Sequence, residues 1–63
     1  MSVMGNYDFD VLVSGIDSRG MAGTERHKVR AEQATLAKEG ALGLVRTEHP
    51  TWTDLMVESC VEV

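Results

Sequence analysis

The chain has 63 residues, a net charge of −4 and a single cysteine. This is one domain at most, it buries only about 60% of the surface its unfolded chain exposes, and it has no internal disulfide to staple it. The acidic balance disfavours the outside of a nucleic-acid duplex, where phosphate neutralisation drives binding, and the longest dense apolar run, Val11-Leu12-Val13, is far short of the ~20 residues of a membrane span.

Small scaffolds usually need disulfides, a metal or assembly. His27, His49 and Cys60 stand at no i, i+3 or i+4 spacing, so neither a metal nor a cofactor is expected. Homo-oligomerisation is the remaining route. No basic-then-apolar segment opens the chain, and a cytoplasmic protein is the expectation. Charge is divided unevenly. Residues 19–38 hold five basic and two acidic residues, net +3, and the remainder carries net −7.

In chain order, residues 1–6 read as a loose leader and residues 7–63 as a single domain. Tyr7, Phe9, Val11 and Val13 alternate with Asp8, Asp10, Leu12 and Ser14, the period of a half-buried strand that Gly15 ends. Residues 15–23 form a loop with three glycines. Thr24 is a good N-cap, with Glu25 in the first turn, for a helix from Glu25 to Glu39 closed by Gly40. Its apolar stripe is thin (Ala22, Val29, Gln33, Leu36, Ala37), and its opposite side is unusually small. Ala41 to Thr47 reads as a second, short apolar strand, and Glu48-His49-Pro50-Thr51 as a turn. The tail alternates Leu55, Val57, Ser59, Val61 and Val63 with Asp54, Met56, Glu58, Cys60 and Glu62, a strand with a short helix over Thr53 to Glu58 as competitor. The fold class is α+β: a β-α-β-β domain, a three-stranded sheet with one face covered by a helix, completed by oligomerisation. Its other face would carry Asp8, Asp10, Leu12, Met56, Glu58, Cys60 and Glu62.

The strand–glycine loop–helix unit is the leading candidate site. Amide groups at a helix start suit an anion; Arg19, Arg26 and Lys28 would add charge, and Ser18 and Thr24 hydroxyl donors around Gly20. The spacing Gly15-x4-Gly20-x2-Gly23 is neither a P-loop, since Met21 stands where its lysine would be, nor a dinucleotide fingerprint. The bland alternative is a connection whose glycines solve turn geometry. Trp52 either caps a small core or stacks on a base or anchors a partner. His27 and His49 read as solvent- or partner-facing, and Ser14, Ser18 and Cys60 make no triad without geometry. The acidic strand residues are either a solvated sheet face or a surface for a basic protein partner.

The β-α-β-β order at this length resembles that of the dodecins, small flavin-holding oligomers. The resemblance is one of topology alone: Ala41 to Thr47 carries no aromatic to stack on a flavin, and fold analogy does not carry function. The expectation is therefore a non-enzymatic, homo-oligomeric binding protein that sequesters a small anionic, nucleotide-like ligand at Ser18, Arg19, Gly20, Thr24, Arg26 and Lys28, with Trp52 stacking. The alternative is an inhibitor or adaptor that docks by its acidic sheet face or Trp52. An accessory protein of a virus or mobile element suits the small size.

Overall fold

The computed structural model describes residues 6–63. The leader expected over residues 1–6 lies, apart from exposed Asn6, outside the described residues. Three strands and a helix follow in the order β1 (Tyr7–Ile16), β2 (Ala22–Ala31), α1 (Ala34–Glu48) and β3 (Thr53–Glu62). The sheet order is β2-β1-β3, and β1 is antiparallel to both neighbours. The α+β class, the three-stranded sheet and the single covering helix agree with the sequence reading.

The β-α-β-β order does not. The order is β-β-α-β, and two elements change type. Residues expected as the first part of the helix form β2, and Ala41–Thr47, expected as a strand, lies inside α1. The first two strands make the hairpin, and the helix crosses from β2 to β3 above β1. The topological likeness to dodecins goes with the order.

The physical reason lies in pairing. All ten residues of β2 oppose β1, from Tyr7↔Ala31 to Ile16↔Ala22. Glu25, Arg26, Lys28 and Arg30 are good helix formers in isolation, but a neighbour with Phe9, Val11 and Val13 offers a ten-residue ladder, and tertiary context overrides propensity. Within β2, Gly23, Glu25, His27, Val29 and Ala31 are half-buried on the helix side, and Thr24, Arg26, Lys28 and Arg30 are exposed on the other.

The hairpin tip explains the glycine loop. Gly20 has φ +82, the left-handed conformation that glycine adopts without strain. Asp17 closes the turn: its Oδ1 accepts the N–H groups of Arg19 and Met21, each at 2.9 Å, and its Oδ2 pairs with the Arg19 guanidinium at 3.1 Å. Those amides are the donors an external anion would need.

The helix buries Ala37, Ala41 and Val45, an i, i+4, i+8 stripe. Small side chains let it approach closely; a Cβ on Gly40 would stand 3.3 Å from Val29 Cγ1. The core is Phe9, Val11 and Val13 under these three, with Val29, Leu42, Trp52, Leu55, Val57 and Cys60 packed around it. No helix among the described residues is long and apolar enough to cross a membrane.

Strand β3 departs from strict alternation. Its register to β1 shifts between Leu12/Val13 and again between Ser14/Ile16. The first shift leaves Glu58 as an extra residue, which swaps the facing of everything after it. Cys60, expected on the open face, therefore lies opposite core Val11 and packs inward, and Val61 is 57% exposed. Asp54, at the second shift, has φ +54. The turn before β3 runs His49 to Trp52, one residue later than expected, with Pro50 at its second position, where a fixed φ suits it.

Candidate functional site

The seven residues expected at one site are divided among three places. Ser18, Arg19 and Gly20 form the hairpin tip. Thr24, Arg26 and Lys28 project from β2 on the sheet face away from the helix. Trp52 lies on the helix side, over the glycine pair Gly15↔Gly23. A Cβ on Gly15 would meet Trp52 Cε3 at 2.9 Å, and one on Gly23 would meet Cζ2 and Cη2 at 2.9 Å. The indole also stacks on His49, with centroids 4.1 Å apart and planes 14° from parallel. Two of the three loop glycines thus make room for an indole that also stacks on His49. The helix start that was to hold an anion is elsewhere, at Ala34.

The uncovered sheet face is mixed. Its apolar centre runs from Leu12 at mid-strand toward the hairpin end, through the 56% exposed Met56 to Ile16. Around it Arg26 pairs with Asp10 at 2.8 Å, Arg30 reaches Asp8 at 4.0 Å, and the Ser14 hydroxyl donates to Glu58 at 2.6 Å. Asp8, Asp10, Asp54 and Glu58 stand against Arg26, Lys28 and Arg30, so the face is close to neutral where an acidic one was expected. An open groove of about 440 Å³ crosses its hairpin end between Ser14, Ile16, Thr24, Met56 and Glu58.

Sequence reasoning missed a second gathering, on the helix side. Glu25 and His27, two apart on β2, share a face; Glu48 and His49 end the helix directly above them. His27 Nε2 is 3.4 Å from Glu48 Oε1 and 3.6 Å from Glu25 Oε1. His49 Nε2 is 3.3 Å from Glu25 Oε2. The donor atoms of Glu25, Glu48 and His49 all lie within 4.8 Å of one another. His27 is only 16% exposed, and its Nε2 is buried without a hydrogen-bond partner. The available signal was Glu-x-His, which puts both side chains on one side of a strand but on different sides of a helix.

Comparison with protein-family models, with curated proteins and with solved structures gives no match to this chain.

Proposed function

We propose that the chain is a non-enzymatic, homo-oligomeric binding protein whose uncovered sheet face is its contact surface, packed against a second copy. The observation that carries this reading is the composition of that face: Leu12, Ile16 and Met56 lie exposed or half-exposed beside the ion pairs Arg26–Asp10 and Arg30–Asp8. A purely solvated face would lack that apolar centre, and a face built for a basic partner would keep its acids unpaired. Two such faces stacked about 10 Å apart would give a sandwich with helices outside.

The edges are poorer candidates. Edge strand β2 carries Arg26, Lys28 and Arg30, and edge strand β3 is broken by its two register shifts; both devices discourage edge pairing. Met56→Lys places a charge at an exposed apolar position and should leave the monomer fold intact. Sedimentation velocity should then show a multiple of the 6.9 kDa chain for the wild type and a shift toward monomer for Met56→Lys. A wild type that sediments as a monomer at tens of micromolar would contradict the reading.

A second reading keeps the small anionic ligand, now on the open face. Thr24, Arg26 and Lys28 project in a row there, and among the described residues Lys28 has no carboxylate partner while both flanking arginines do. Glu58 and Asp54 beside the groove favour a ligand confined to the β2 side.

A further inference from the structure

We propose that Glu25, His27, Glu48 and His49 bind one divalent transition-metal ion of the zinc class, clamping the end of the helix to β2. Three observations meet here. The first is spacing. A four-coordinate zinc with ligand atoms about 2.0–2.1 Å away separates neighbouring donors by about 3.4 Å. Three imidazole–carboxylate separations are 3.3, 3.4 and 3.6 Å, with Glu25 offering Oε2 to His49 and Oε1 to His27; the donors of Glu25, Glu48 and His49 form the mutually close set, and His27 approaches it through the two carboxylates. They come from two segments distant in sequence, the middle of β2 and the C-terminal end of α1 with its cap residue His49.

The second is the orphaned nitrogen. His27 Nε2 sits between two carboxylates yet makes a hydrogen bond to neither. A buried polar atom without a partner costs about 1–3 kcal/mol. Oxygens close to an imidazole nitrogen but off its bonding axis are what the other ligands of a shared metal look like.

The third is charge. Two carboxylates and two neutral imidazoles sum to −2, which one divalent cation cancels. Among the described residues every arginine ion pair is made elsewhere, to Asp17, Asp10 and Asp8. Two imidazoles select a transition metal over calcium or magnesium, which favour all-oxygen shells. The support around the donors fits as well: the His49 ring is fixed by stacking on Trp52, and Trp52 by the Gly15–Gly23 pair beneath it. Groups that orient ligands in this way commonly tune metal affinity. A chain this small gains stability from a metal as it would from a disulfide.

The test uses full-length protein stripped with a chelator and titrated calorimetrically with zinc chloride. One equivalent per chain should bind, and the melting temperature should rise by about 20 °C at zinc 100-fold above its dissociation constant. Glu25→Gln and His27→Gln should each weaken binding about 10–100-fold, and Cys60→Ser should leave it unchanged. If His27→Gln fails to fold, Glu48→Gln, whose side chain is 50% exposed, serves in its place. No saturable binding by the wild type, unchanged affinity in Glu25→Gln, or loss of binding in Cys60→Ser would overturn the proposal.

Discussion

Trp52 is the only tryptophan, and its seat is made by what two other residues lack. A methyl at Gly15 would approach Leu55 Cδ2 to 2.7 Å and the indole to 2.9 Å. Both neighbours pack on the core, so neither can simply swing into solvent. Gly15→Ala should therefore cost about 1–3 kcal/mol through overpacking and shift Trp52 fluorescence to the red as the indole is pushed outward. Urea unfolding followed by that fluorescence reads both effects, and an unchanged midpoint and emission would show that the seat is looser than described. Asp17 acts at the other end of the same hairpin. The Met21 N–H, ahead of the Arg19 side chain and N–H, holds its carboxyl below its ordinary value of 3.8. A lowered folded-state value means that the carboxylate's contribution is complete above the unfolded-state value and is lost as pH falls through the folded one. The stability gap between wild type and Asp17→Asn should thus be open at pH 6 and shrink below about pH 4; a gap that stays constant in urea titrations at pH 6 and pH 3 would contradict this. At this scale the sequence was partly legible. Three glycines in nine residues marked a special backbone, but whether they face an anion or an indole depends on a tryptophan 29 residues beyond Gly23.

The element scale is where the reading of α1 and β2 went astray, and capping explains it. Thr24-Glu25 has the form of a helix start, yet it lies within a strand. The true start has Gln33 at its N-cap with no side-chain hydrogen bond, and no acid in its first turn. One false signal and one missing signal moved the helix about nine residues toward the N-terminus. β2 was obscured for a related reason: with Arg26, Lys28 and Arg30 outside and Glu25 and His27 inside, both of its faces are polar along the middle, which hides the period of two. β1 and β3 kept aromatic and β-branched residues and were legible as strands, although no pattern foretold the Glu58 bulge. The helix also carries two interior glycines that differ in surroundings. Nothing lies within 4 Å of where a Cβ would stand on Gly43, so Gly43→Ala should stabilise by about 0.5–1 kcal/mol. At Gly40 the same propensity gain is opposed by Val29 at 3.3 Å, and Gly40→Ala should gain less. Equal urea midpoints for the two variants would indicate that the helix does not press on β2 as closely as Gly40 implies.

For the whole molecule, the governing fact is how little is fully buried. Among the described residues six side chains form the buried core, and two of them are alanines. A single layer of helix on a three-stranded sheet leaves the opposite face to water or to a partner, and the apolar centre of that face favours a partner. The two staples inferred for this chain act on different sides of the sheet. Assembly would cover Leu12, Ile16 and Met56, and a metal would tie β2 to the helix end through Glu25, His27, Glu48 and His49. Because the sites share no residue, each can fail without the other. The expectation of a staple rests on length and the single cysteine; the Glu25, His27, Glu48 and His49 cluster was not legible, because its residues come from a strand that read as a helix and a helix end that read as a turn.

Native mass spectrometry of the intact chain, compared with its denatured mass, tests assembly most directly. The account predicts a multiple of the 6.9 kDa subunit that dissociates when Met56 is replaced by lysine. A monomer as the only species at tens of micromolar would contradict it and return the open face to the role of a solvated surface.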